Sequence, residues 1–160
     1  EQYEISNFAK PGFACDHNVG YWTRENYLGL GLGAASLMEN VRYTNMTDLE
    51  KYIEETQDMR FVPFEQLDGS HVNGTNLHIT ADAVTRAAQM EEFMFLGLRM
   101  KKGVTRRKFE ETFGIPIEGV YKNVLDHLKK QELLEIKAGN IVLTEKGQDL
   151  SNYVLAQFLL

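Results

Sequence analysis

A run of alternating leucine and glycine most constrains what this chain can fold into. Residues 28–33 read Leu-Gly-Leu-Gly-Leu-Gly and continue into Ala34, Ala35 and Ser36. A period of two predicts a strand over residues 27–36, with leucines on one face and bare backbone on the other. Because glycine weakens a strand interior, the pattern needs a reason. Two reasons stay open: close approach of a ligand, or tight packing of a helix on the bare face.

Composition fits one ordinary domain or two small ones. The chain has 160 residues, of which 43% are hydrophobic, and its longest apolar runs are too short to predict a membrane span. Its single cysteine, Cys15, excludes an internal disulfide and fits a reducing compartment, so we expect a cytoplasmic protein. The chain begins at Glu1 without a signal-peptide pattern, which we interpret as a fragment of a longer protein.

Charge is unevenly distributed and argues against a nucleic-acid partner. Residues 1–80 carry five basic and twelve acidic side chains, whereas residues 81–160 carry twelve basic and eleven acidic ones. An acidic first half does not suit a phosphate backbone. A small basic cluster remains at Lys101, Lys102, Arg106, Arg107 and Lys108. A solvated turn between helices is favoured there over a phosphate-binding patch.

The first half predicts short elements separated by turns. We expect strands over residues 3–8 and 41–44, and an irregular segment or short helical turn over 15–22. Thr47 and Glu50 form a capping-box pattern, which predicts a helix over 48–56. Its expected buried face is Leu49, Tyr52 and Ile53. Residues 58–80, with turn sequences at 68–70 and 73–76, predict a long loop or a loose hairpin.

The second half predicts helices around one hairpin. Thr80 should cap a long helix that ends at Gly103, and Thr105 a short one that ends at Gly114. A third helix is expected over 118–131, with an inward face of Val120, Tyr121, Val124, Leu125 and Leu128. A hairpin should then pair 134–136 with 141–143, and Thr144 should cap a last helix over 146–159. This order predicts a winged helix over 81–160. The mixed charges on the third helix favour a packing or docking module over DNA binding.

His17 is the candidate functional side chain of greatest interest. If its segment is helical, Tyr21 lies four residues on and shares its face. A neutral imidazole can ligate haem iron, and aromatic neighbours can cover a macrocycle. Spacing alone nevertheless favours a buried structural histidine with aromatic packing. Cys15 and His17 together supply two of the four ligands that a structural zinc site needs, which is too few.

Several ordered motifs resemble one family. They are YEISNFAKPG at residues 3–12, HNxxYW at 17–22, YLGxG at 27–31, FLGLR at 95–99 and LTxxG at 143–147. Together they resemble the C-terminal part of the radical S-adenosylmethionine proteins related to oxygen-independent coproporphyrinogen III oxidase. The HNxxYW block is similar to the haem-chaperone branch of that family.

The resemblance implies an α+β architecture. Residues 1–80 would be the terminal strands of a radical S-adenosylmethionine barrel, and residues 81–160 a winged-helix-like C-terminal domain. In the family a cysteine triplet holds a four-iron four-sulfur cluster that binds S-adenosylmethionine. Since this chain has one cysteine, the resemblance implies that it is inactive alone and that the cluster lies upstream, in the chain's own N-terminal barrel domain.

The resemblance also assigns site residues. It implies haem binding by His17, Asn18, Tyr21 and Trp22, with His17 as iron ligand. It implies a wall of the S-adenosylmethionine pocket at Gly31, Gly33 and Ala34. The family usually has histidine where this chain has Ala35, which leaves any role of that second imidazole in doubt.

Two functions follow as alternatives. The leading one is haem binding and delivery to an acceptor protein. The other is oxidative decarboxylation of coproporphyrinogen III in porphyrin biosynthesis. We also expect residues 1–80 of the isolated chain to self-associate or to be locally disordered, because barrel strands without their neighbours expose edges.

Overall fold

The computed structural model describes residues 1–63, 66 and 73–160, without the side chain of Asn73. Its contacts divide the chain into two compact units, one of residues 1–24 with 86–160 and one of residues 25–85. The two domains predicted from the sequence, residues 1–80 and 81–160, are not tested by this grouping of contacts and stay predictions. Within the described residues no helix combines the length and the apolar character needed to cross a bilayer.

The first unit begins with a tight hairpin. Strands β1 (Gln2–Glu4) and β2 (Asn7–Phe8) are antiparallel, with Gln2 opposite Phe8. The predicted single strand over residues 3–8 is therefore wrong. The Glu4 carboxylate accepts hydrogen bonds from the Ser6 amide and the Asn7 side chain, which fold the chain back within two residues.

Helix α1 (Asp16–Trp22) follows and carries the HNxxYW block. Of the two predicted alternatives, the helical one is confirmed. Asp16 lies in the first turn, where a carboxylate suits the helix dipole. The helix ends at Thr23, whose hydroxyl donates to the Val19 carbonyl.

The rest of this unit is helical around a small sheet. Its elements are α3 (Arg86–Gly97), β8 (Val104–Thr105), α4 (Arg106–Phe113), α5 (Ile117–Lys130), β9 (Leu134–Lys137), β10 (Asn140–Leu143), α6 (Glu145–Asp149) and α7 (Ser151–Ala156). The prediction of a helix from Thr80 to Gly103 is wrong at both ends. Thr80 lies in strand β7 (His78–Ala83), opposite Thr44, because pairing with a neighbouring strand outweighs its value as a cap.

The later predictions hold more closely. Thr105 is the N-cap of α4, and Gly114 ends that helix with a φ of 66°. On α5, Tyr121, Leu125 and Leu128 are buried as expected. The hairpin pairs Leu143 with Leu134 and Ile141 with Ile136. Sequence reasoning missed β8, which adds a third strand in the order β8-β10-β9.

The closing segment is two short helices rather than one. Thr144 is the predicted N-cap, and its Oγ1 accepts from the Gly147 amide. The run breaks at Leu150, which caps both helices. The buried core of this unit gathers α3, α4, α5, the sheet and α7, with Met94, Leu98, Phe109, Ile117, Tyr121, Leu128, Ile141, Val154 and Phe158 at its centre.

The second unit is built on a three-stranded antiparallel sheet. Strands β3 (Ala35–Met38), β4 (Val41–Asn45) and β7 lie in the order β3-β4-β7. The predicted strand over 41–44 is confirmed. A separate pair joins β5 (Phe61–Pro63) to β6 (Asn73–Thr75), so the hairpin alternative for this region is confirmed there. The predicted turn at 68–70 lies outside the described residues.

Helix α2 (Leu49–Gln57) differs from its prediction in two ways. Its N-cap is Asp48, whose side chain accepts from the Lys51 amide, rather than Thr47. Its apolar face is not buried, since Leu49 and Ile53 are 59% and 51% exposed. The local core of this unit is small and consists of Val41, Tyr43 and Ala81.

The predicted strand over residues 27–36 is also wrong. Tyr27 forms an isolated bridge with Leu37, and only Ala35 and Ser36 belong to β3. Residues 28–34, named here the glycine loop, have no strand partner among the described residues. Gly31 and Gly33 have φ of 101° and 67°, which bend the backbone away from extended geometry.

Candidate functional site

His17 lies on the surface of α1. Its ring centroid is 4.7 Å from that of Tyr21, at an interplanar angle of 72°. The prediction that these two rings share a face is therefore confirmed. His17 is exposed, so the buried structural histidine that spacing favoured is wrong. Within the described part of the chain its ring nitrogens have no hydrogen-bond partner, which leaves them accessible to a metal.

Asn18 anchors α1 to the N-terminal hairpin. Its Nδ2 donates to the Tyr3 hydroxyl over 3.0 Å. Strand β1 is in turn held to the segment after α3, because the Ile5 amide donates to the Arg99 carbonyl and the Lys101 amide to the Tyr3 carbonyl. The structure therefore gives Asn18 a positioning role.

Trp22, the last residue of α1, makes a cation–π contact with Arg99. The Arg99 guanidinium carbon lies 4.4 Å from the centroid of the Trp22 rings. Such cation–π contacts stabilise by about 0.5–2 kcal/mol, depending on desolvation. The indole Nε1 is buried and, among the described residues, has no hydrogen-bond partner.

Arg99 also forms an ion pair with Glu4. Its NH2 lies 2.6 Å and its Nε 2.8 Å from Glu4 Oε1. The Glu4 side chain is fully buried, whereas that of Arg99 is 26% exposed. Burial alone raises the pKa of this carboxyl. The hydrogen bonds from Asn7, Ser6 and Arg99 outweigh that effect and hold the pKa below its ordinary value.

The Glu4–Arg99–Trp22 contact joins three of the sequence motifs. Glu4 belongs to the first motif, Trp22 to HNxxYW and Arg99 to FLGLR. Sequence reasoning missed Glu4 and Arg99 as functional residues. The only sequence signal for these two residues was that both lie inside the family motifs. The strand pattern predicted over residues 3–8 places a glutamate on the solvent-facing side, so Glu4 was not expected to be buried.

A second ion pair fixes the end of α1. Arg24 Nε lies 2.7 Å from Glu92 Oε2, and the two side chains are only 9% and 11% exposed. Since both charges are almost buried, removing one would leave the other poorly compensated. α1 is thus held at Asn18 and Trp22 and, two residues after its end, through Arg24, while His17 stays open to solvent.

The glycine loop, in the second unit, is fixed by two buried polar side chains. Asn45 Nδ2 donates to the carbonyls of Gly29 and Gly31 over 3.3 and 2.9 Å, and Ser36 Oγ accepts from the Gly29 amide over 2.9 Å. Asn45 is 4% exposed and Ser36 is fully buried. The loop is therefore a built structure, although it is not a strand.

The glycines of this loop serve different needs. A Cβ on Gly29 would lie 2.1 Å from the Ala35 carbonyl oxygen, so close backbone packing requires glycine there. A Cβ on Gly31 would have open space around it within 4 Å. Close packing therefore accounts for Gly29, but against the Ala35 backbone of β3 rather than against the predicted helix, whereas Gly31 leaves space beside its backbone.

The remaining predicted pocket residues are partly accessible. Gly33 is exposed and Ala34 half-buried, and the Gly33 amide donates to the Met46 carbonyl. Ala35, where the family has histidine, is exposed and opposite Thr44. The cofactor-motif residues therefore fall into two groups, the α1 set in the first unit and the glycine loop in the second.

The residues of α1 and those of the glycine loop suit different kinds of ligand. His17 offers an accessible imidazole with an aromatic ring beside it, which suits a haem iron. Gly31 has open space beside its backbone, which suits close approach of a ligand. An iron–sulfur cluster needs several thiolates, and the chain's single cysteine, the exposed Cys15, cannot supply them.

Comparison with known proteins agrees with the motifs. Residues 84–150 match the family described as HemN C-terminal domain. Over 158 residues, 99% of this chain, the sequence is 36% identical to heme chaperone HemW of Lactococcus lactis and 35% identical to that of Bacillus subtilis. This chain resembles the C-terminal part of HemN-related radical SAM proteins. It spans 37% and 38% of the length of those two heme chaperones.

A solved structure shows the same fold. The Escherichia coli HemN structure, titled as a coproporphyrinogen III oxidase and radical SAM enzyme, matches with a TM-score of 0.59 and 18% identity. The match covers 84% of this chain and 28% of HemN. At this identity the likeness shows the fold alone, which is a mixed α/β fold similar to part of HemN.

Proposed function

We propose that this chain is the haem-binding C-terminal part of a haem chaperone. The observation that carries the proposal is the exposed His17 on a helix fixed at three points. The relatives matched over 99% of the chain carry the name heme chaperone HemW, which supports haem as the ligand.

In this proposal each α1 residue has a distinct task. An imidazole nitrogen of His17 ligates the iron, and the ring of Tyr21, 4.7 Å away, contacts the macrocycle. Asn18 and Trp22 keep the helix in place through Tyr3 and Arg99. Because His17 is exposed, the haem is accessible for transfer to an acceptor protein.

The glycine loop would serve a different cofactor. We propose that Gly31, Gly33 and Ala34 form a wall of the S-adenosylmethionine pocket, with Asn45 holding the loop carbonyls. When bound, S-adenosylmethionine and a four-iron four-sulfur cluster supply radical chemistry. The cluster ligands belong to an N-terminal barrel domain of the longer protein.

We further propose a winged-helix-like architecture for the second half of the chain. The helices α3, α4 and α5, the hairpin β9–β10 and the closing helices follow the order of a winged helix. We assign them to a winged-helix-like domain that docks on protein, because the exposed side of α5 has mixed charges. The sheet β3-β4-β7 would be the terminal part of the barrel.

Haem titration tests the role of His17. In the longer protein, His17→Ala should weaken haem binding and change the Soret band, because the iron loses its imidazole. His127→Ala is the matched control, since His127 is an exposed histidine on α5 and should leave both unchanged. Unchanged affinity and an unchanged Soret band in His17→Ala, with an unaltered circular dichroism spectrum, would reject the proposal.

A second candidate is coproporphyrinogen III oxidation, favoured by the likeness to the Escherichia coli HemN fold. An anaerobic assay of the reconstituted longer protein separates the two functions. A chaperone should bind haem and form no protoporphyrinogen. Catalytic formation of protoporphyrinogen would favour the enzyme.

A further inference from the structure

The first unit contains a cavity of about 160 Å³ beside α1. It lies between the end of α1, α3, β8 and α4. Its walls include Trp22, Phe93, Gly97, Val104, Lys102 and Lys108. Ligand sites in proteins are commonly concave, mostly apolar and provided with a few polar groups, and this cavity has that character.

The cavity has room for about one aromatic ring. Trp22 and Phe93 present ring surfaces, and Val104 packs against Gly97 so closely that a Cβ on Gly97 would lie 2.5 Å from Val104 Cγ1. A cavity of about 150 Å³ lined by apolar side chains accommodates benzene. The volume therefore suits a single ring or a short alkyl chain.

The charged part of the wall is positive. Arg24 is already compensated by Glu92 at 2.7 Å. Lys102 and Lys108 have no ion-pair partner among the residues that the structure describes, and the described lining residues include no acidic one. Two uncompensated ammonium groups beside an apolar wall favour an amphiphilic anion. Thr23 and Thr105 also line the cavity, and the Thr23 hydroxyl already donates to the Val19 carbonyl.

The cavity is separate from the His17 face. His17 does not line it, although Trp22 on the same helix does. Five residues of α-helix turn through roughly 140°, so the two side chains leave α1 in different directions. A molecule in the cavity would contact the end of α1 without occupying the imidazole.

We propose that this cavity binds a small organic anion, a carboxylate carried on an apolar body of about one ring. The apolar body lies against Trp22 and Phe93, and the carboxylate pairs with Lys102 and Lys108. This site is additional to the haem site proposed above. It does not depend on His17 or on the glycine loop.

Tryptophan fluorescence of the whole chain tests the proposal directly, because Trp22 is the only tryptophan. Benzoate is the probe, and benzamide is its neutral counterpart of nearly equal shape. Benzoate should change the fluorescence saturably and bind about tenfold more tightly than benzamide, the gain expected from about 1.4 kcal/mol of added electrostatic attraction. Equal binding of the two, or no saturable change with benzoate, would overturn the proposal.

Variants separate the charge from the shape of the cavity. Lys102→Gln combined with Lys108→Gln should lower benzoate affinity about tenfold to the level of benzamide, while benzamide binding stays unchanged. Lys122→Gln is the matched control, since Lys122 is exposed on α5 and does not line the cavity. His17→Ala should also leave benzoate binding unchanged.

Inorganic phosphate tests whether the apolar body matters. Phosphate should bind more weakly than benzoate, because it does not contact the ring surfaces. Phosphate binding as tight as benzoate binding would reject the apolar part of the proposal. Unchanged benzoate affinity in the double lysine variant would reject the anionic part.

Discussion

Arg99 contacts two chemically different partners at once. Its guanidinium pairs with the buried carboxylate of Glu4 and covers the ring of Trp22. A planar, permanently charged group can make both contacts, whereas a lysine ammonium is a compact point charge without the planar fork. The orientation of α1, and with it of His17, therefore depends on a residue far along the chain.

Removing this guanidinium should be costly. Arg99→Met keeps the alkyl chain but leaves Glu4 buried without its cation, so we expect a loss of about 2–4 kcal/mol of stability. Urea denaturation followed by Trp22 fluorescence measures it, and the native emission should also shift. Arg107→Met is the control, since Arg107 is 85% exposed in its pair with Glu111 and should leave stability nearly unchanged. Equal effects of the two variants would contradict the assigned role of Arg99.

Glu4 should make stability depend on pH. Its pKa is lowered in the folded chain, so its contribution is complete above the ordinary value of 4.5 and is lost as the pH falls through the lower, folded value. Glu4→Gln should cost about 1–3 kcal/mol at neutral pH, and the difference from wild type should shrink on acidification. Urea denaturation at several pH values measures that difference. A gap that stays constant into strong acid would show that the carboxylate charge is not what stabilises this site.

At the scale of elements, the glycine loop shows how a sequence period can mislead. Leu28, Leu30 and Leu32 alternate with glycines as in a strand, yet they are 63%, 82% and 44% exposed. Positive φ at Gly31 and Gly33 turns the chain, and Asn45 holds the carbonyls that a strand partner would otherwise satisfy. The alternation of leucine and glycine here reflects backbone turns at Gly31 and Gly33 and close packing at Gly29, rather than a strand.

Two Gly→Ala substitutions should have opposite signs. Gly29→Ala places a Cβ against the Ala35 carbonyl and should destabilise the second unit by about 1–3 kcal/mol. Gly119→Ala lies inside α5, where the nearest atoms are at 3.8 Å, and should stabilise by about 0.5–1 kcal/mol. Amide hydrogen exchange in β3–β4 and in α5 measures each locally. Faster exchange in α5 of Gly119→Ala, or unchanged exchange in β3–β4 of Gly29→Ala, would contradict these assignments.

At the scale of the whole molecule, each of the two units exposes apolar side chains. The leucines of the glycine loop are exposed, as are Phe8 at 72% and Phe13 at 76%. Exposed apolar clusters of this kind commonly mark interaction surfaces. Within the second unit, the three leucines of the glycine loop therefore give the expected self-association a surface that can be tested.

Replacing the loop leucines should reduce association. The triple variant Leu28→Ser, Leu30→Ser and Leu32→Ser removes exposed apolar area without touching Asn45 or Ser36, which hold the loop. Light scattering should show association of the wild-type chain that grows with concentration and a lower mass for the variant. A monodisperse wild-type monomer would contradict the prediction of self-association.

Helix ends, caps and turns could be predicted from the sequence where the residues that form them lie within a few positions of each other. Gly114, the hairpin β9–β10 and the Thr144 cap follow from turn and cap chemistry within a few residues. Predictions failed where a distant partner decides. Thr80 joins a strand because β4 lies beside it, and the 3–8 segment folds back because Glu4 is satisfied by its neighbours and by Arg99.

The properties of the candidate site also divide into those that the sequence predicts and those that depend on the fold. The sequence by itself determined the motif residues, the pairing of His17 with Tyr21 on one helical face, and the resemblance to one family. Only the tertiary structure decided that His17 is exposed, that Arg99 joins Glu4 to Trp22, and that lysines and aromatic rings enclose a cavity. Exposure and ion pairing depend on which surfaces meet after folding, and a one-dimensional pattern carries no distance between residues 4, 22 and 99.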